Sequence, residues 1–390
     1  MRILRHSLLL SSLLLSSLAL AACGGSGSES TGGSGTEPTG GEGAASCKEA
    51  TVTGDLTAQW IPSLGGGKTL AYWLIVGVLH RPEGPSALLR RNTEDGAAEL
   101  AFLGPDGKLA PLAKVPKAGQ YEFIVAPVSM PNGKRCAVYA VAVDGAKLQF
   151  TCEDGSTEDS GIEISLFDSG PGLLPIVTAE GTLTIFTTTH ASYTMLRRTA
   201  EGQWEEIEQY ESSISWPEDA VLHDGAPVSC FIGVDDRAHI VTKAGELTSA
   251  VQTDSCKIAV DATAVHVLLD MGTDTGYAAT IPWSNFNGSG GSFEVKPTPT
   301  PGLVLTMGVS GGEAFLVTLD YTNLKLLQVG LASGAITTLG PAEDESFSYT
   351  AIFDADEGML TVASSPEVDT SFDDEVIPQS IRIATYCLSK

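Results

Sequence analysis

Basic residues are scarce in this 390-residue chain, with 22 Lys and Arg against 48 Asp and Glu, and they form no cluster. A phosphate backbone is held by grouped Lys and Arg, so nucleic acid is excluded as a partner. The same deficit excludes flat adsorption on an anionic bilayer. The longest apolar run, Leu8 to Leu20, has thirteen residues interrupted by serines. A membrane-crossing helix needs roughly 20. Cys-x-x-Cys is absent and the six histidines are scattered, which removes the usual zinc patterns. Nucleotide, flavin and haem motifs are missing as well. Helical periodicity is almost lacking, and Gln203 to Ser213 is the best stretch of it.

What is present begins with an export signal: Arg2 and Arg5, the apolar run, then the small residues Ala21 and Ala22. The sequence Leu20-Ala21-Ala22-Cys23 resembles the lipobox of bacterial lipoproteins. That resemblance implies a thioether-linked diacylglycerol on Cys23, removal of residues 1–22 and anchoring by acyl chains. Gly24 stands where an acidic residue would retain such a protein in the inner membrane, so the resemblance implies the outer membrane. Removing Arg2 and Arg5 leaves 20 basic residues against 48 acidic, a net charge of −28. That excess suits a soluble body or one that meets cations or a basic partner.

From Cys23 to Ser46 the chain is mostly Gly, Ser, Thr, Glu and Pro, with too little apolar surface to offset the entropy of ordering. It is expected to be a flexible tether spanning about 25 to 30 Å.

Residues 47–390 are expected to form one β-rich domain. Short runs of Val, Ile, Leu, Thr and Phe alternate with Asp-Gly, Gly-Gly and Pro-Gly punctuation roughly every 8 to 12 residues. Examples are Leu70–Leu79, Tyr121–Pro127, Cys136–Val143, Ala146–Cys152, Thr182–Thr188, Ala264–Asp270, Ala314–Asp320 and Met359–Ser364. Counting every such run gives about 26 strands, enough for six or seven four-stranded units. The expected fold is an all-β propeller of six or seven four-stranded blades, with two β-sandwich domains as the alternative. An internal echo accompanies this spacing in FDADEGMLTVAS from Phe353, TAEGTLTIFTT from Thr178 and AVDATAVHVLL from Ala259. The spacing resembles that of divergent bacterial propellers, although no Trp-Asp repeat recurs. Asn285 to Pro301, which encloses a strand-like Ser292 to Lys296, is expected to be a long surface connection.

Apart from Cys23, six cysteines remain, an even number in an exported chain and hence a disulfide set. Cys136 and Cys152 are equidistant from Asp144, so a three-residue loop at Val143-Asp144-Gly145 places them opposite each other. They are expected to bond across a non-hydrogen-bonded site. On a propeller, Cys47 near the start and Cys387 near the end can close the ring. By elimination, Cys230 then joins Cys256.

Catalytic patterns are thin. Gly308-Val309-Ser310-Gly311-Gly312 matches G-x-S-x-G, but it leads into another strand and no histidine follows His266, so a hairpin turn is expected. No catalytic, cofactor or metal residue is assigned. Calcium is the one cofactor the composition allows, at the acidic loops Glu153-Asp154, Asp235-Asp236, Asp354-Ala355-Asp356 or Asp373-Asp374-Glu375, none of which matches an EF-hand. Among the tryptophans, Trp73 lies in an apolar run and is expected in the core, whereas Trp216 and Trp283 are candidates for surface platforms. Trp60 and Trp204 complete the five. Two classes of function remain. One is a non-catalytic module binding an envelope protein or glycan. The other is an extracytoplasmic enzyme that acts on carbohydrate or another small molecule with loop carboxylates.

Overall fold

The computed structural model describes residues 49–62, 66–79, 84–116, 123–130, 133–141, 147–163, 174–177, 183–189, 192–198, 203–211, 214–269, 275–288, 290–310, 312–320, 322–323, 325–341, 346–354, 358–366 and 376–388. Cys23, the expected signal segment and tether, and Cys47 lie outside them. Within them are thirty strands, more than the 26 or so counted from sequence, arranged in seven antiparallel sheets.

The innermost strands are Leu74–Leu79, Phe123–Ser129, Leu174–Val177, Ile214–His223, Cys256–Val260, Leu303–Ser310 and Ser346–Asp354, opening blades one to seven. Each packs against the next, and the seventh packs against the first, so the sheets form a closed propeller. Closure uses both ends of the folded chain. Ala50–Pro62 supplies the fourth strand of blade seven, pairing with Val376–Cys387 from Ala50 opposite Thr385 to Gln59 opposite Val376.

The core is a ring of interfaces between blades. In the second strand of blade one, Ser86–Asn92, Leu88 packs with Ala137 and Tyr139 of blade two, while Ala87 and Leu89 pack with Ile381 and Ile383 of blade seven. A strand buried on both faces has no need to alternate, which is why Ala87, Leu88 and Leu89 are consecutive apolar residues. Ala264–Leu269 of blade five is likewise buried throughout. Full burial of each such Leu or Phe contributes about 1.5–3 kcal/mol.

All three sequence echoes fall at the same point of the blade, the turn from the innermost to the second strand of blades seven, three and five. The Asp-Gly punctuation is also real: Asp224 and Gly225, with φ of 51° and 71°, form the two-residue turn between His223 and Ala226. Both central residues of a primed hairpin turn require such angles.

Two expectations are corrected. Of Gln203 to Ser213, the described residues 203–211 are not helical: Trp204–Glu211 is the outermost strand of blade three, and tertiary pairing overrides the helix propensity of its Glu and Gln. Among the described residues the only helical segment is the three-residue 3-10 turn Trp283–Asn285. Asn285 to Pro301 is more than a surface connection. Ser292–Phe293 adds a parallel fifth strand to the outer edge of blade four, and Lys296–Pro299 is the outermost strand of blade five. Phe286 and Phe293 anchor the crossing in the core between the two blades.

Candidate functional site

The junction of blades four and five gathers the polar groups with the most unusual surroundings. Glu218 lies on the innermost strand of blade four, where Pro217 pairs with Phe231 and Asp219 with the adjacent Cys230. Glu218 is therefore the additional residue of a β-bulge, a feature that re-aims side chains and is frequent beside functional sites. Its side chain reaches solvent, whereas Asp219 is buried.

Asp219 ties the two blades together. Its Oδ2 accepts the Ile258 N–H at 2.9 Å and its Oδ1 the Ala220 N–H at 3.1 Å. Two positions away from Ile258, Cys256 is disulfide-bonded to Cys230, the strand partner of Asp219, with 6.3 Å between Cα atoms. Lys257 lies between these two fixed points and is buried. Burial raises the Glu218 carboxyl above the usual range; Lys257 opposes that rise, while Asp219 and Asp254 add to it. The arrangement raises the pKa of a carboxyl at a solvent-reached position, where a cationic group could be accepted.

On the same end of the ring, the turn of blade four holds a second carboxylate set. His239 has Nδ1 2.6 Å from Glu246 Oε1 and Nε2 3.1 Å from Asp235 Oδ1. Burial works against charging this imidazole, but the hydrogen bonds to Glu246 and Asp235 outweigh it and raise its pKa. Asp236, at φ 57°, follows Asp235, and its carbonyl accepts the Thr253 N–H at 2.7 Å, linking the turn to the strand connection that leads to Cys256.

At the opposite end, Asp261, His266, Thr280 and Trp283 form a group of catalytic composition. His266 Nε2 is 2.9 Å from Asp261 Oδ2, and its Nδ1 is 3.1 Å from Thr280 Oγ1. The other oxygen, Oδ1, accepts the Thr263 N–H at 2.6 Å, the Thr263 hydroxyl at 2.7 Å and the Ala264 N–H at 2.9 Å. Burial raises the Asp261 pKa, but these bonds and His266 hold it well below the usual carboxylate range. The group pins the turn between two strands.

Of the residues singled out from sequence, Cys136 and Cys152 are directly opposed and bonded, with Cα atoms 3.9 Å apart. The same register continues outward as ion pairs, Arg135 with Glu153 at 2.6 Å and Lys134 with Asp154. Glu153-Asp154 is thus occupied by cations of its own chain. Asp235 belongs to the His239 set; residues 355–357 and 373–375 lie outside the described residues. Among the described residues no group of three or more His, Cys, Asp or Glu is disposed to hold a metal ion. Cys387 is disulfide-bonded, and its expected partner Cys47 lies outside the described residues.

Trp73 is buried, as expected. Trp283 is half-buried: it stacks on His223 with ring centroids 4.0 Å apart, and its indole N–H donates to the Asp261 carbonyl at 2.9 Å. One face is therefore already taken. Ser310 pairs with Glu313 in the strand-to-strand hairpin of blade six, the turn expected for the G-x-S-x-G string. The Glu218 bulge was not singled out from sequence, and of the His239 set only Asp235 was; the remaining signals were an acid pair within a strand and acids spaced four and seven residues from a histidine.

No family model matches the chain, and no curated protein matches it either.

Proposed function

We propose that the chain is a lipid-anchored extracytoplasmic protein whose propeller is a non-catalytic binding platform for an envelope protein or glycan. The lipobox at Leu20-Ala21-Ala22-Cys23 and the tether that follows support the anchoring. The observation that carries the binding reading is the commitment of acid and base groups to the scaffold: Asp219 and Asp261 each accept several internal hydrogen bonds, and His239 is clasped by two carboxylates. Groups so engaged hold geometry and are poorly placed to exchange protons with a substrate.

The enzyme reading keeps one specific support, the raised pKa of Glu218 at a solvent-reached bulge, as a general acid requires. Mass analysis of the mature N-terminus of parent and Cys23→Ala tests the anchor; an unmodified Cys23 in the parent defeats it. Photo-crosslinking in intact cells, followed by identification of the crosslinked species, tests the platform. Hydrolysis of chromogenic glycosides that disappears in Glu218→Gln would replace binding with catalysis.

A further inference from the structure

Outer edges of propeller blades present unpaired main-chain groups, and most blades here block them. The outermost strand of blade one, Leu109–Val115, carries Pro111 and Lys114; that of blade five, Lys296–Pro299, carries Pro297 and Pro299. Blade two ends on Thr157–Glu163, with Glu158, Asp159, Glu163 and a register break; blade three ends on Trp204–Glu211, with Glu205, Glu206, Glu208 and Glu211. On blade four the edge is paired at Thr248 and Ser249 to Ser292–Phe293, and on blade seven Lys68–Ala71 covers Gln59–Pro62 at the end of Ala50–Pro62, which also carries Asp55. Prolines, charges, breaks and cover are the devices by which sheets avoid adding strands.

Along Ile336 to Thr338 blade six has none of these among the described residues, and its register break comes only beyond them, at Leu339. Its outermost strand reads Ile-Thr-Thr-Leu-Gly before Pro341 ends it. Ile336 is 53% exposed, one of three exposed large apolar side chains among the described residues, and Thr337 and Thr338 are exposed beside it. Gly330 donates its N–H to the Ala335 carbonyl at 2.9 Å, after which Val329 pairs with Ile336, Gln328 with Thr337 and Leu327 with Thr338. Antiparallel pairs alternate between bonded and non-bonded, so the main-chain N–H and C=O of Ile336 and Thr338 face away from the sheet.

We propose that this edge is a docking site for an extended peptide segment of a partner protein, which adds to blade six as a fifth strand. The proposal deepens the binding reading above and rests on it. The fold supplies its own precedent, since blade four takes a fifth strand in the same position from Ser292–Phe293. The occupant is another protein, because two copies of a chain with net charge −26 in full length repel each other. Main-chain hydrogen bonds give the affinity; a β-branched residue beside Ile336 and basic flanks, matching the acidic chain, give the preference.

The test uses the full chain and a fluorescent synthetic peptide of alternating isoleucine and threonine with lysine at both ends, read by anisotropy. Saturable binding is expected, weakened at least about tenfold by Ile336→Pro or Thr338→Pro, each of which removes an outward N–H. The same peptide N-methylated at alternate amides is expected not to bind, a control that leaves the protein unaltered. Absence of binding, equal binding of the methylated peptide, or binding that survives in proline variants with parental melting temperatures overturns the proposal. Dimers of the chain that dissolve in Ile336→Pro would assign the edge to a second copy and also overturn it. Cellular crosslinks that persist in Ile336→Pro would leave the platform standing while removing this edge from it.

Discussion

The side-chain amide of Gln379 pairs with the backbone of Trp73 as a neighbouring strand would, accepting its N–H at 2.8 Å and donating to its carbonyl at 2.7 Å. Gln379 is on the third strand of blade seven, and Trp73 immediately precedes the innermost strand of blade one. Both are buried, and Arg91 lies over the Trp73 ring at 4.6 Å. The clamp satisfies two main-chain groups where the chain steps from one blade to the next. Gln379→Ala is expected to lower unfolding free energy by about 2–4 kcal/mol, since each buried group left unpaired costs about 1–3. Chemical denaturation measures this, and a loss below about 0.5 kcal/mol would show that water replaces the amide without penalty.

Disulfide mapping by non-reducing digestion is expected to return Cys136 with Cys152, Cys230 with Cys256 and Cys47 with Cys387. Replacing Cys230 and Cys256 together with alanine is expected to cost about 2–4 kcal/mol. Replacing Cys136 and Cys152 costs less, because the ladder of Arg135 with Glu153 and Lys134 with Asp154 holds the same register. Equal losses in the two double variants would mean that the ion pairs contribute nothing to that register.

His239 makes stability depend on pH. Its pKa in the folded chain is raised above the ordinary imidazole value of 6.5. The folded state therefore binds the proton more tightly, and the contribution is complete below about 6.5 and lost as pH rises through the raised value. Melting temperatures of the parent are expected to fall across that upper range more steeply than those of His239→Gln. Parallel pH profiles would defeat the assignment.

Glu218 is raised as well, so it favours folding at acid pH and opposes it once ionised. Glu218→Gln is expected to be at least as stable as the parent at neutral pH. A destabilised glutamine variant would mean that the ionised carboxylate is held favourably by Lys257.

The strand content and the Cys136–Cys152 pair were legible because both are local: an apolar run with a turn at each end, and two cysteines symmetric about Asp144. The echoes at Phe353, Thr178 and Ala259 carried the blade phase as well, since each spans the place where the innermost strand hands over to the second. Trp204–Glu211 was misread because its glutamates favour a helix in isolation and suit an outer edge in a sheet. The Gln379–Trp73 clamp was invisible because 306 residues separate its members, and only ring closure brings them together. The Glu218 bulge was hidden for a related reason, as a register break belongs to two strands and cannot be read from one.

Because Ala50–Pro62 completes the sheet that Val376–Cys387 belongs to, the first of the described strands has only Gln59–Pro62 paired, with Lys68–Ala71, until the last of them is made. Its segment Ala50–Ala58 waits unpaired while the intervening blades are made and begin to assemble. Timing is thus built into the topology: the circle cannot lock while its far end is still in transit, and a protease or chaperone acting at that moment meets an open horseshoe with two unfinished rims.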